Sequence, residues 1–202
     1  MELNTYPLVC TRGVVLYPNQ EIVIDVGRGA SVHAVENAQD NYDKKICLFS
    51  QKELEQENPG KEDIYPVGTL CEVRHIRRFD NFLRVKFRGI KRVKLNNWIN
   101  GSLSDLAEVE ILESEKQDAV EEEALIRMIA DELDRMQGQD RFVTKEIVME
   151  ISKGMGGEFL SDKAVQELPL DIERKQKYLE TLGVNDRLMM LLQDMDKEKK
   201  MS

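Results

Sequence analysis

The amino-acid sequence predicts an α+β protein with a β-rich region over residues 1–114 and a helical region over residues 115–202. Before about residue 112 the apolar residues form short alternating runs, whereas after it they recur every three or four positions. The charge changes in the same part of the chain. Residues 72–94 hold nine basic and two acidic side chains, and residues 105–135 hold twelve acidic and three basic ones. These two changes indicate two regions of different architecture.

Six segments of the first region are predicted to be β-strands, most of them from alternation of apolar and polar side chains, and residues 46–49 from a short apolar run that suits a buried strand. The segments are residues 22–26, 46–49, 67–76, 83–87, 93–95 and 105–112. The last one is expected to close the sheet. Asp80 and Asn81 tolerate the backbone geometry of tight turns and predict a hairpin between the third and fourth segments.

One helix is predicted within the β-rich region. Ser31 is a favourable N-cap residue. Val35, Ala38 and Tyr42 then have the spacing of a helix face that is turned toward a core. Residues 51–66, with seven charged side chains, predict a polar loop between two strands.

The second region has five apolar stripes at helical spacing. Their members are Leu125, Met128, Ile129, Leu133 and Met136; Val143, Ile147 and Ile151; Leu160, Ala164 and Leu168; Ile172, Gln176 and Leu179; and Leu188, Leu191, Leu192 and Met195. Gly138, the glycine-rich residues 154–157 and Pro169 separate the first four stripes, as helix ends require. We therefore predict an α-helical bundle.

The composition excludes several classes of protein. The chain has 202 residues, 41% hydrophobic and 33% charged, with a net charge of −9. No apolar run approaches the ~20 residues of a membrane helix, and residues 1–10 lack the basic start of a secretory signal. Three widely spaced cysteines (Cys10, Cys47 and Cys71) indicate reduced thiols in a cytoplasm. We therefore exclude a secreted, disulfide-stabilised or membrane protein.

Sequence motifs of the common catalytic sites are absent. The chain has no G-x-x-x-x-G-K-[ST] phosphate loop, no G-x-S-x-G, no H-E-x-x-H and no paired C-x-x-C. Cys71 and His75 are four residues apart and are expected to share one face of a strand, but structural zinc requires four ligands. We interpret them as a packed thiol beside a half-exposed histidine. We predict a non-enzymatic chain without cofactor or metal.

Several short motifs follow one another at characteristic intervals. They are Tyr6-Pro7-Leu8, the run from Arg12 to Pro18, Asp25-Val26-Gly27-Arg28, Tyr65, Val67-Gly68-Thr69, Arg84-Val85, Gly89, Leu168-Pro169-Leu170, Lys175-Gln176 and Leu179-Glu180. In this order they resemble the N-terminal domain of the Lon family of ATP-dependent proteases. The resemblance covers almost the whole chain.

The resemblance implies a PUA-like, partly closed β-barrel followed by a helical bundle. It also implies a role in recognising unfolded or damaged protein substrates and in supporting a hexamer. In that family an ATPase module, which uses ATP and magnesium, and a Ser-Lys protease domain come next. The chain is therefore expected to be either a fragment of a cytoplasmic ATP-dependent serine endopeptidase that acts in protein quality control or a free-standing domain of the same type.

Five residues are candidates for contact with an unfolded substrate. Phe79 and Phe82 flank a polar turn with no obvious local core, so they form either an exposed recognition patch or a small cluster folded under the hairpin. Tyr17 and Pro18 lie in a loop between apolar segments, where Tyr17 is either packed or exposed. Met155 lies in the glycine-rich loop, where an adaptable side chain suits varied apolar ligands.

The basic stretch at residues 74–94 supports an alternative, a PUA-like module that binds nucleic acid with Phe79 and Phe82 as stacking platforms. Most of these charges alternate with core residues, so a solvated strand face explains them without any ligand. The acidic second half repels phosphate, and we therefore do not expect a nucleic-acid partner. The basic face could instead meet acidic residues 105–135 of a neighbouring subunit.

Overall fold

Six β-strands and six α-helices form within residues 3–27, 29–136 and 144–201, which are the residues described by the computed structural model. Arg28, Gly138 and Val143, on which parts of the sequence pattern rely, lie outside the described residues. The chain divides into two units, Met1–Leu112 and Glu113–Ser202. The predicted α+β class is therefore confirmed.

The first unit is built around a single six-stranded sheet. Its elements are β1 (Leu3–Thr11), β2 (Glu21–Val26), α1 (Ala30–Asn41), β3 (Lys45–Ser50), a 3₁₀ turn (Lys61–Asp63), β4 (Val67–Arg78), β5 (Leu83–Ile99) and β6 (Leu106–Leu112). The strand order is β2-β5-β4-β3-β1-β6, and an additional β5–β6 pairing closes the sheet on itself. β6 therefore closes the sheet, as its alternating sequence predicts.

Closure depends on two strands that each pair with more than one neighbour, β1 with two strands and β5 with three. Residues 3–7 of β1 pair antiparallel with β6, and residues 8–11 pair parallel with β3. The first part of β5 pairs with β2, and its second part, residues 92–99, pairs with β6. The sequence predicts two strands where β5 is one continuous strand, and β1 was not among the predicted segments.

Two apolar clusters fill the first unit. One lies where α1 packs and includes Val35, Ala38, Val85 and Phe87, whereas the other includes Phe49, Val93 and Val109 near the β5–β6 closure. Of the three residues predicted to face inward, Val35 and Ala38 are fully buried, whereas Tyr42 follows the end of α1 and is only half-buried. The buried apolar residues in the first part of β5 belong to the first cluster, and those in its second part belong to the second cluster.

Two local predictions in this unit are wrong. α1 begins at Ala30 after Gly29, whose positive φ of 89° suits glycine, and no side chain caps the helix, so Ser31 is not its N-cap. Cys71 is buried whereas His75 is exposed, because an irregularity in the β4–β5 register between Val73 and His75 changes the facing of the strand.

The second unit contains only helices among its named elements. They are α2 (Ala119–Arg135), α3 (Thr144–Ser152), α4 (Gly157–Glu167), α5 (Ile172–Glu180) and α6 (Val184–Met201). Asp118 caps α2 by accepting a 2.8 Å hydrogen bond from the Glu121 backbone N–H, and Asp171 caps α5 in the same way. The stripe of α2 is buried except for Met128, which is exposed.

Candidate functional site

The β4–β5 hairpin presents the most distinctive surface of the first unit. β4 ends at Arg78 and β5 begins at Leu83, and the Phe79 backbone N–H donates a 3.0 Å hydrogen bond to the Phe82 carbonyl. This bond closes a tight turn over Asp80 and Asn81, as the sequence predicts. The turn therefore holds the two phenylalanines opposite each other at the hairpin end.

The two rings stack on each other. Their centroids are 4.6 Å apart and their planes differ by 12°. Phe79 is 36% exposed and Phe82 is half-buried, and neither belongs to the two core clusters of the unit. Phe79 is therefore exposed, as the recognition-patch alternative expects. Phe82 stacks on it in a less accessible position.

Two arginines lie over this stack. The guanidinium carbon of Arg77 is 5.0 Å from the Phe79 ring centroid, and that of Arg84 is 5.2 Å from Phe79 and 5.7 Å from Phe82. Guanidinium groups at this distance are attracted by the negative ring face. The apolar pair is thus bordered by positive charge.

A second row of side chains crosses the sheet next to the rings. Arg77 of β4 lies opposite Arg84 of β5, which lies opposite Asp25 of β2. Arg84 donates two hydrogen bonds to the Asp25 carboxylate, at 2.8 and 3.2 Å. These bonds lower the pKa of Asp25 and raise that of Arg84.

A third row continues the same face. His75, Lys86 and Val23 lie opposite one another on β4, β5 and β2, and all three are exposed, Val23 by 56%. We name the three rows together the hairpin surface. It consists of Phe79 and Phe82; Arg77, Arg84 and Asp25; and His75, Lys86 and Val23. The surface combines apolar groups with cations.

Tyr17 and Pro18 do not reach the surface of their unit, so the packed alternative holds for Tyr17 and neither residue is exposed for contact with a substrate. Tyr17 has no exposed area, Pro18 is buried, and the Arg92 guanidinium carbon lies 5.9 Å from the Tyr17 ring centroid. Gly89 of β5 lets this loop approach, and the Asn19 backbone N–H donates a 2.9 Å hydrogen bond to the Gly89 carbonyl. Backbone contact between the loop and β5 therefore buries both residues.

Met155 lies in the helical unit, whereas the other four predicted contacts lie in the β-rich unit. It is half-buried and lines a cavity of about 420 Å³ together with Ile126 and Ile151. Glu122 and Glu123 line the same cavity. Contact between Met155 and an unfolded substrate stays a prediction.

A larger groove, which sequence reasoning missed, lies in the first unit. Its volume is about 820 Å³, and its lining includes Cys10, Ile24, Val26, Trp98 and Asp105. The Trp98 indole N–H donates a 3.1 Å hydrogen bond to the Asp105 carboxylate. Segments far apart in the chain form this groove, so their sequences do not reveal that they meet. The single tryptophan was the one lining residue whose type could have drawn attention to a binding site.

The described residues contain no group of three or more His, Cys, Asp or Glu side chains that could hold a metal ion. Within the same ranges, no helix has the length and apolar character needed to cross a membrane.

Comparison with known proteins gives a consistent result. A family model described as the ATP-dependent protease La (LON) substrate-binding domain matches residues 5–197. A Lon protease of Syntrophomonas wolfei is 33% identical over 201 residues, covering 98% of this chain and 25% of that protein. The Lon protease of Escherichia coli is 30% identical over 193 residues, covering 95% of this chain and 24% of that protein. The chain thus spans about a quarter of the length of these curated relatives.

Solved structures agree in fold. The N-terminal domain of a Lon protease of the Mycobacterium avium complex superposes with a TM-score of 0.74 at 17% identity, covering 95% of this chain and 97% of that one. A Lon N-terminal domain protein of Xanthomonas campestris gives 0.64 at 16% identity, covering 94% and 97%. These identities show a shared fold, and the family model covers nearly the whole sequence. The chain therefore belongs to the family of Lon substrate-binding domains.

Proposed function

We propose that this domain recognises exposed apolar segments of unfolded or damaged proteins, and that the hairpin surface is where they bind. The observation that carries the proposal is the stacked Phe79–Phe82 pair at an exposed hairpin end. Unfolded clients differ in sequence, so their receptor needs apolar contact without a demand for one sequence. The exposed part of Phe79, with the half-buried Phe82 stacked on it, meets that need, because apolar contact, unlike base stacking, does not require a free ring face.

The rest of the activity belongs, in this proposal, to other parts of an intact Lon-type protease. ATP and magnesium act at its ATPase module, and an ATP-dependent serine endopeptidase domain cleaves the client. We assign no catalytic residue and no cofactor to the present domain. All three cysteines are free, which supports a place in the reducing cytoplasm.

Support of a hexamer is the second part of the proposal. On α2, Val120 and Met128 are eight residues apart, 75% and 53% exposed, with the exposed Ala124 between them. Positions four apart share one helix face. An apolar stripe of this kind suits contact with another subunit, and its acidic neighbours Glu121 and Glu123 suit a basic partner surface.

A binding measurement tests substrate recognition. The probe is fluorescently labelled, reduced and carboxymethylated α-lactalbumin, which stays unfolded in buffer. The double variant Phe79→Ser/Phe82→Ser should bind it at least about tenfold more weakly, as expected for loss of a central aromatic contact. Phe159→Ser is the matched control, because Phe159 is a 40% exposed phenylalanine of α4. This control should bind as tightly as the unchanged chain.

The single variant Phe79→Ser guards against a folding defect. Phe79 is the more exposed ring, so this change should weaken binding with little effect on thermal unfolding. The proposal is wrong if Phe79→Ser binds normally, or if Phe159→Ser loses as much affinity as the hairpin variants.

The nucleic-acid alternative rests on the same cations and rings. A base needs a free ring face on which to stack, but the Phe79 ring already contacts Phe82 and two guanidinium groups. Titration with labelled single-stranded RNA at physiological salt should therefore show negligible binding. Tight binding that weakens steeply with salt would favour the alternative.

A further inference from the structure

The positive charge of the hairpin surface is not balanced by its own acids. Arg84 is paired with Asp25. No carboxylate of the described residues lies within 4.0 Å of the Arg77 guanidinium or the Lys86 ammonium group. Asp80 in the turn is exposed but forms no ion pair with either. Two cations therefore face solvent beside an apolar stack.

Neighbouring rows do not remove this excess. Arg78 is paired with Glu36 at 3.5 Å, and Arg74 with Glu72 at 3.0 Å. These cations are neutralised within the unit. Among the Arg and Lys side chains of the hairpin surface, the uncompensated ones are Arg77 and Lys86, which lie within four residues of Phe79 and Phe82 along the hairpin.

The rows are spaced as an extended ligand requires. Along β5, Arg84 follows Phe82 by two residues and Lys86 follows it by four. A strand rises about 3.3 Å per residue and presents every second side chain to the same face. When a client segment lies extended along the hairpin, every second side chain of the client therefore lies opposite one of the three rows.

We propose that the hairpin surface selects apolar segments that carry acidic residues two and four positions from an aromatic or aliphatic anchor. This inference rests on the proposed function and names its substrate class. The anchor contacts the Phe79–Phe82 stack, and the acidic side chains meet Arg77 and Lys86. Val23, exposed beside Lys86, adds apolar contact for the intervening part of the client.

The charge effect has a bounded size. Ion pairs between exposed groups contribute about 0.2–1 kcal/mol each, and salt screens them over roughly 8 Å at physiological ionic strength. Two such pairs amount to about a twofold to thirtyfold difference in affinity. The preference is therefore a modest selection among clients, whereas the apolar anchor supplies the main affinity.

Three labelled peptides test the inference on the full chain. They share one apolar core, and their flanking positions hold aspartate, serine or lysine. Fluorescence anisotropy at 0.05, 0.15 and 0.5 M NaCl should give the affinity order aspartate, serine, lysine, with at least threefold between the outer two at 0.15 M. The difference should shrink at 0.5 M, because screening reduces only the charged contribution.

Charge reversal locates the effect. The variant Arg77→Glu/Lys86→Glu should reverse the order so that the lysine-flanked peptide binds most tightly. The matched control is Lys153→Glu/Lys177→Glu, which changes net charge equally at two exposed cations of the helical unit. The control should keep the original order, and thermal unfolding of each variant checks that it is folded.

The outcomes separate this inference from the proposed function. Equal binding of the three peptides, together with weaker binding by Phe79→Ser, would overturn the charge selection and leave the proposed function standing. A reversal caused equally by the control variant would also overturn it. Failure of all three peptides to bind, with α-lactalbumin binding unaffected by Phe79→Ser, would overturn the proposed function itself.

Discussion

The guanidinium of Arg187 in α6 donates a 3.1 Å hydrogen bond to the carboxylate of Asp162 in α4, and both side chains are almost fully buried. A second guanidinium nitrogen of Arg187 donates a 2.6 Å hydrogen bond to the Ser114 hydroxyl. Because a buried charge needs a partner, this contact holds the two helices in one relative position.

Removal of the acidic partner should destabilise the protein strongly. Asp162→Ala leaves the Arg187 charge buried without its carboxylate, so we expect the free energy of unfolding to fall by about 3–5 kcal/mol. Urea unfolding followed by circular dichroism measures the change. Glu180→Ala, at an exposed acid that ends α5, should stay within about 0.5 kcal/mol. Equal stability of the two variants would contradict the pairing.

Gly89 should not tolerate a side chain. A Cβ at this position would lie 2.3 Å from the Tyr17 carbonyl oxygen, so Gly89→Ala forces the buried loop away from β5. We expect a loss of about 1–3 kcal/mol of unfolding free energy. Gly27→Ala is the control, because its Cβ would meet nothing within 4 Å. Thermal unfolding of both variants measures the difference in their stability. Equal stability would show that the loop is loosely held and would contradict the prediction.

The three thiols should be unreactive in the folded protein. Burial raises the pKa of Cys10 to about 12, with smaller contributions from Asp105 and Asp63, and burial also raises the pKa of Cys47 and Cys71. Only about 10⁻⁴ of the Cys10 thiol is then ionised at pH 8, and the thiolate is the reactive form. Ellman's reagent should titrate three thiols only after unfolding, and rapid reaction of one thiol in the native state would contradict this.

The Asp25–Arg84 pair should be visible in a carboxyl titration by NMR. Hydrogen bonds from Arg84 lower the folded pKa of Asp25 below its ordinary value of about 3.9. The pair therefore adds stability above that value and loses it as pH falls through the folded pKa. Arg84→Gln should raise the Asp25 midpoint.

Arg74→Gln serves as the control for this titration. It should raise the pKa of Glu72, which Arg74 lowers, and leave Asp25 unchanged. An Asp25 midpoint that is the same with and without Arg84 would show that the pair does not persist in solution.

The parts of the fold that depend on neighbouring residues were predictable from sequence. The turn at Asp80 and Asn81 is one example, because turn chemistry is local. The closing strand β6 is another, since its alternating sequence reflects one solvated face. The positions of Phe79 and Phe82 on either side of the turn could be predicted from the same local pattern, because residues that flank a tight turn lie opposite each other.

Features set by distant segments were not predictable. β1 lacks a clear alternation because its two halves pair with different strands. Gly89 lies in the middle of β5. A glycine at such a position suggests the end of a strand, but here it allows the backbone of Tyr17 to approach closely. The same long-range contact buries Tyr17 and Pro18, and the groove at Trp98 is assembled from strand and loop segments that are far apart in the chain. The paired charges of Arg84 and Asp25 also require the strand register, which the sequence alone does not specify.

Mapping of backbone amide shifts by ¹⁵N NMR tests the location of substrate binding most directly. Unlabelled carboxymethylated α-lactalbumin is added to the ¹⁵N-labelled chain, and shift changes and line broadening are recorded by residue. We predict the largest changes in residues 75–86 and 21–25, the strands of the hairpin surface. Changes confined to the groove around Cys10 and Trp98, or to the cavity around Met155, with the hairpin unaffected, would contradict the account.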